Sequence, residues 1–250
     1  MTLKSPKEIS IMREGGELLA GILRRLTDEA QDGVTLQQLD KLARELIKEV
    51  GGEPAFLGYR PHGAKKSYPA AICTSLNEVV VHGVPTNRKL QSGDILKIDL
   101  GLKYKRFYTD TAITVGIGKI FPAAEKLITV CREALSLAIK NCRPDKRLGD
   151  LGAVVSRFVK LHKFSVIKGL CGHGVGKELH EAPIVPNEGR PNTGLKLLPG
   201  MVLAIEPMIS AGSPYIIQLP DESYATSDGS LSAQFEHTVA ITENGCQILT

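Results

Sequence analysis

Tryptophan is absent from this 250-residue sequence, and aromatic residues make up only 5% of it. No apolar run approaches the ~20 residues needed to cross a bilayer, which excludes a transmembrane helix. The opening Met1-Thr2-Leu3-Lys4-Ser5-Pro6 lacks a basic region followed by an apolar stretch and a small-residue cleavage site, so a secreted protein is not expected. Cysteine is sparse and odd in number, with Cys73, Cys131, Cys142, Cys171 and Cys246 far apart and no C-x-x-C pair. That argues against a disulfide framework or a zinc knuckle and for a reducing, cytoplasmic compartment. A bias of one charge sign is also missing: 31 Lys and Arg against 27 Asp and Glu leave +4, too little to argue for a specific nucleic-acid partner. What is present, 42% apolar residues over this length, suffices for a sizeable core in one α/β-type domain or two small ones.

Helix starts are legible. Ser5-Pro6-Lys7-Glu8 reads as a capping box with Pro at the first helical position, followed by an apolar face of Ile9, Met12, Leu19, Ile22, Leu23 and Leu26. Thr35 and Gln38 form a second box, with Val34 able to staple onto Leu39 before the stop at Gly51-Gly52. From Phe56 to about Val115 the pattern becomes short β-like runs, including Glu78 to His82, Asp94 to Leu100 and Phe107 to Val115. Helices return after Pro122 and again from Leu148 to Phe164, and strands and turns follow Ser165. The order helix, helix, strands therefore occurs twice, and no Ser- or Pro-rich linker separates the two runs. We expect one domain over 1–250 with two similar halves, about 1–118 and 119–250.

Carboxylates stand where apolar strands should exclude them. In Ile95-Leu96-Lys97-Ile98-Asp99-Leu100, alternation puts Leu96, Ile98 and Leu100 on one face and Asp99 on the other. In Phe107 to Val115, Asp110 shares its face with Tyr108, Ala112 and Thr114. A hairpin centred between Tyr104 and Lys105 would set Asp99 opposite Asp110, so something positive sits between them or the register differs. The second half repeats the anomaly: Met201 to Ile205 ends on Glu206-Pro207, and Glu236 lies inside Gln234 to Ile241. A buried ionised carboxylate needs a cation or a proton. His237 points away from Glu236 by alternation and is expected to be structural.

Among the histidines, His173 stands in Cys171-Gly172-His173-Gly174-Val175-Gly176. Glycines there suit a backbone that bends sharply to present an imidazole, whereas the G-x-G-x-G spacing does not fit a phosphate loop. His180 follows seven residues on, and His82 closes the β-branched run Val79-Val80-Val81. His62, in a polar loop, and His162, beside Lys163, suit surface roles. Four carboxylates and one imidazole are a ligand set for two divalent cations, and oxygen-rich ligation without thiolate favours Mn, Fe(II) or Co over a structural zinc site. The chemistry expected is metal-assisted hydrolysis, with His82 and His180 available to position an amide and steady a tetrahedral intermediate.

These residues also carry a resemblance. Val81-His82-Gly83-Val84-Pro85, Asp99, Asp110, Gly172 to Gly176, His180, Glu206-Pro207 and Ser230-Leu231-Ser232-Ala233-Gln234-Phe235-Glu236-His237-Thr238 resemble, in order and spacing, the type I methionine aminopeptidases of bacterial type. The likeness implies a pita-bread fold, α/β (α+β), with two pseudo-symmetric halves of two helices plus antiparallel strands around a dinuclear metal site. It implies co-translational removal of initiator Met from nascent polypeptides, near the ribosome, when the second residue is small, by a cytoplasmic monomer. It implies Asp99 on one metal, His173 and Glu206 on the other, and Asp110 and Glu236 bridging both, the ions being Co, Mn, Fe(II) or Zn. Glu206 would move the proton of the nucleophilic water, His82 would contact the scissile nitrogen and His180 the carbonyl oxygen. Tyr68 and Cys73 would line the methionine pocket, with Tyr59 as a further wall. Two departures stand out. The stretch Arg60 to Ser67 is longer than is common in the family, and a usual Trp is missing where Glu222, Ser223 and Tyr224 occur, leaving Tyr224 as the aromatic substitute. A related hydrolase cleaving before proline would use the same ligands, and a metal-free binding module would show substitutions among the five, all of which are present.

Overall fold

Both N-terminal helices begin at their capping boxes. Ser5 Oγ accepts from Glu8 N at 3.3 Å while Ser5 N donates to Glu8 Oε2 at 2.8 Å, and Thr35 and Gln38 repeat the exchange at 3.2 and 2.8 Å. This computed structural model describes residues 2–60, 63 and 65–250, so His62 lies outside the described residues. In chain order come α1 (Pro6–Glu29), α2 (Leu36–Glu49), β1 (Glu53–Pro54), β2 (Ile72–Leu76), β3 (Val79–Val81), β4 (Ile95–Tyr104) and β5 (Phe107–Gly116). Then follow α3 (Pro122–Asn141), α4 (Leu148–Leu161), β6 (Ser165–Val166), β7 (Gly172–Gly174), β8 (Glu181–Val185), β9 (Val202–Ile205) and β10 (Met208–Ser210). The chain closes with β11 (Ile216–Gln218), β12 (Tyr224–Thr226), β13 (Ser232–Gln234), β14 (Glu236–Thr242) and β15 (Gly245–Ile248).

The main sheet runs β1-β4-β5-β14-β9-β7-β8, with β2 also on β4 and β15 also on β14. Strand alternation divides its faces. Leu96, Ile98, Leu100 and Leu102 of β4 pack under Leu19, Ile22, Leu26, Leu39 and Ile47 of α1 and α2. Leu203, Ile205, Val239 and Ile241 pack under α3 and α4 through Leu127, Val130, Leu151 and Val155. Each such side chain contributes roughly 1.5–3 kcal/mol by leaving water. The intervening residues, Asp99 and Glu236 among them, are thereby turned to the opposite face.

The β4–β5 hairpin differs from the expected register. Its turn residues are Lys105 and Arg106, both at positive φ (46° and 74°), between the pair Tyr104 and Phe107. Two consecutive left-handed residues make a tight turn whose twist matches the strands, and it moves the turn centre by one residue, which shifts each partner by two. Asp110 therefore faces Gly101 and Asp99 faces Ala112, so the two carboxylates are diagonal neighbours instead of direct opposites.

Candidate metal centre

The registers set the functional side chains in two adjacent rows. Asp99 pairs with Ala112, and Ala112 with Glu236 on the next strand. The pair His237 with Ile205 places Glu206, the residue after β9, beside Glu236. In the second row the Thr238 hydroxyl accepts from Asp110 N at 2.9 Å and donates to Asp110 O at 2.8 Å. Thr238 pairs with Ala204, which pairs with His173.

Glycine's role around His173 is close approach, not the sharp bend expected. Neither Gly172, Gly174 nor Gly176 has a positive φ. A Cβ on Gly172 would lie 2.3 Å from Ala204 O, and one on Gly174 2.4 Å from Ala182 O, so only glycine lets β7 sit between its neighbours. The strained residue is instead His82, at φ 62°, where a non-glycine residue must be held by its surroundings.

The five residues converge. Asp110, His173 and Glu236 each offer a ligand atom within 4.8 Å of the others. His173 Nε2 stands 3.9 Å from Asp110 Oδ2 and 3.7 Å from Glu206 Oε1. All four carboxylates are buried, and among the described residues no Lys or Arg lies within ion-pair distance of any of them. Asp99 Oδ1 and Glu236 Oε1 have no hydrogen-bond partner. Burial is the main cause that raises the pKa of Asp99, Glu206 and Glu236, with the neighbouring acids adding to it, and burial pushes Asp110 up to about 7. Two orphaned oxygens in an uncompensated acid cluster fit a cation, since leaving them empty of partners costs several kcal/mol. His173 is oriented for the same purpose: Nδ1 lies 2.9 Å from Gly174 O, a carbonyl that only accepts, so Nε2 keeps its lone pair.

Several supporting residues escaped the sequence reading. Gln234 Nε2 donates to Glu206 Oε2 at 3.1 Å, and Asn187 Nδ2 donates to Glu206 O at 2.9 Å. Lys97, on the Asp99 face of β4, is 1% exposed, and its ammonium donates to Asn77 O at 2.7 Å, Ser232 O at 3.1 Å and Ser232 Oγ at 3.2 Å. It ties the β2–β3 turn to the strand that carries Gln234. Lysine inside an apolar strand was the available signal.

Cys73 lies in an apolar cluster with Ala55, Phe56 and Leu179, and Tyr59, Tyr68 and Tyr108 pack onto it. Cys73 is the register partner of Asp99, so the cluster adjoins the acids. Tyr224 packs edge-on against His82 at 5.9 Å between ring centroids. His180 packs perpendicular to His173 at 4.3 Å. His237 is structural, its Nδ1 3.0 Å from Thr250 Oγ1.

The raised acid pKa values set a pH dependence. In chelated protein these four acids hold more protons in the folded chain than in the unfolded chain above pH ~4, where free carboxylates ionise. Their contribution to stability therefore falls as pH rises from there through about 7 for Asp110. Added Mn²⁺ is expected to raise the melting temperature more at pH 8 than at pH 5 in differential scanning calorimetry, and an equal gain at both would contradict that accounting.

A buried set of four carboxylates and one imidazole, on an antiparallel sheet backed by two helix pairs, fits a metal-dependent hydrolase. Residues 10–243 match metallopeptidase family M24. Methionine aminopeptidase 1 of Bacillus subtilis (strain 168) is 42% identical over 248 residues, covering 99% of this chain and 98% of that protein. The crystal structure of methionine aminopeptidase from Rickettsia prowazekii superposes with a TM-score of 0.96 at 36% identity, covering 100% of this chain and 99% of that one. The prolidase of Pyrococcus horikoshii, at TM-score 0.77 and 23% identity over 63% of its length, shares the fold alone. The chain belongs to metallopeptidase family M24, among the methionine aminopeptidases, and has the pita-bread fold.

Proposed function

We propose that this protein removes the initiator methionine from polypeptides whose second residue is small, by hydrolysis at a centre holding two divalent cations. The observation that carries the reading is the uncompensated acid cluster beside an apolar, aromatic-lined cluster, in a chain of this family. Asp99, Asp110, His173, Glu206 and Glu236 would hold the ions, Asp110 and Glu236 contributing to both, with Mn, Fe(II), Co and Zn the fitting elements. When bound, such ions polarise the scissile carbonyl and lower the pKa of a water.

The chain's own residues do the rest. The Tyr59, Tyr68, Phe56 and Cys73 cluster takes the methionine side chain, whose thioether packs favourably on aromatic rings. Tyr68 keeps its shape because its hydroxyl is fixed on Ile72 O at 3.1 Å and Gly83 O at 2.9 Å. Glu206, oriented by the Gln234 amide, takes the proton of the attacking water and passes it to the leaving amine. His82 contacts the scissile nitrogen, and His180 donates to the carbonyl oxygen as charge develops there. The reading takes the enzyme to be a cytoplasmic monomer of one domain, 1–250, acting on N-termini as they emerge from the ribosome.

Metal-loaded protein incubated with Met-Ala-Ser and Met-Leu-Ser peptides is expected to release Met from the first at least about 10²-fold faster, a difference of about 2.7 kcal/mol in the barrier. Release of Met from neither peptide, with metal bound, would overturn the assignment.

A further inference from the structure

The two neighbouring imidazoles are held at Nδ1 by partners of opposite kind. His173 Nδ1 meets a carbonyl, Gly174 O, and must donate. His180 Nδ1 meets the Tyr59 hydroxyl at 2.7 Å, and the two rings pack edge-on at 5.1 Å. Among the described residues the phenol oxygen has no other hydrogen-bond partner. Burial raises the pKa of Tyr59, so the phenol keeps its proton at neutral pH.

We propose that Tyr59 is a positioning residue whose hydroxyl donates to His180 Nδ1, fixing the tautomer in which Nε2 carries the hydrogen and faces the substrate carbonyl. The consequence is a polarity contrast between two rings 4.3 Å apart. The Nε2 of His173 presents a lone pair, suited to a cation, while the Nε2 of His180 presents an N–H, suited to an oxyanion. With the other tautomer, His180 would aim a lone pair at the carbonyl oxygen and repel the charge it has to stabilise.

Tyr59 is held for this task in spite of the long Arg60 to Ser67 stretch that follows it. Tyr59 N donates to Phe56 O at 2.9 Å, Tyr68 N to Tyr59 O at 2.8 Å and Gly58 N to Tyr68 O at 2.8 Å. These bonds tie Tyr59 to Phe56 and Tyr68, so Tyr59 keeps its place beside the apolar cluster.

The proposal rests on the oxyanion role given to His180 above, and its test separates the two. In ¹⁵N-labelled, zinc-loaded protein, long-range ¹H–¹⁵N correlation of the histidine rings, with His180 assigned by its loss in His180→Gln, should show a pyridine-like Nδ1 and a pyrrole-like Nε2. In Tyr59→Phe, which keeps the ring contact, the two shifts should move toward averaged values. A pyrrole-like Nδ1 in the native protein, or an unchanged pattern in Tyr59→Phe, would overturn the proposal. On Met-Ala-Ser, Tyr59→Phe should lower kcat about 3- to 10-fold, the worth of one neutral hydrogen bond, with KM within about twofold and zinc content unchanged. An unchanged kcat would overturn the positioning role. Failure of the native protein to cleave the peptide would overturn the oxyanion role and the proposed function together, leaving the tautomer to be decided by the spectrum.

Discussion

Glu236→Ala is expected to abolish metal-dependent turnover, lowering kcat/KM by more than about 10³-fold, because the proposed function makes Glu236 a metal ligand and metal chemistry fails when a ligand is lost. The same change should not harm the fold. Glu236 sits at the end of β14 with its Oε1 unpartnered and its pKa raised by burial and by Asp110, Glu206 and Asp99. Removing a buried, uncompensated acid relieves repulsion, so in the presence of chelator the variant should melt no lower than the native protein. Circular dichroism melting and a Met-Ala-Ser assay on one preparation separate these effects. A variant that is folded and still active would contradict Glu236 as a ligand.

His180→Ala should cost ~10² or more in kcat while leaving bound metal unchanged, as expected for loss of a donor to a developing oxyanion. The direction is set by its surroundings: burial first, then the His173 and His82 rings, lower its pKa, so at pH 7 it is a neutral donor instead of an imidazolium. KM should change less than kcat, because the hydrogen bond strengthens as charge develops. Full retention of kcat would remove His180 from the mechanism.

Local chemistry made much of the fold legible. The capping boxes at Ser5 and Thr35 and the alternation of Leu96, Ile98 and Leu100 against Asp99 each follow from neighbours within a few residues, and the structure agrees with them. The misplaced acids were visible for the same reason, since a carboxylate in an apolar strand conflicts with its own surroundings. Register was not legible. The hairpin turn uses Lys105 and Arg106 at positive φ, without the Gly or Asn that would have marked it. Long-range pairings were equally hidden: the Tyr59 hydroxyl meets a histidine 121 residues away, and Lys97 reaches Ser232 across 135. Glycine around His173 was noticed for the wrong reason, because nothing local distinguishes a bend from a strand squeezed between Ala204 and Ala182.

The proposed function requires the four acids and His173 to bind divalent ions. Isothermal titration of chelator-treated, dialysed protein with Mn²⁺ tests it most directly. Saturation at two ions per chain is expected in the native protein, and loss of that binding in Glu236→Ala. No binding by folded native protein, or the same two-ion isotherm in both proteins, would contradict it.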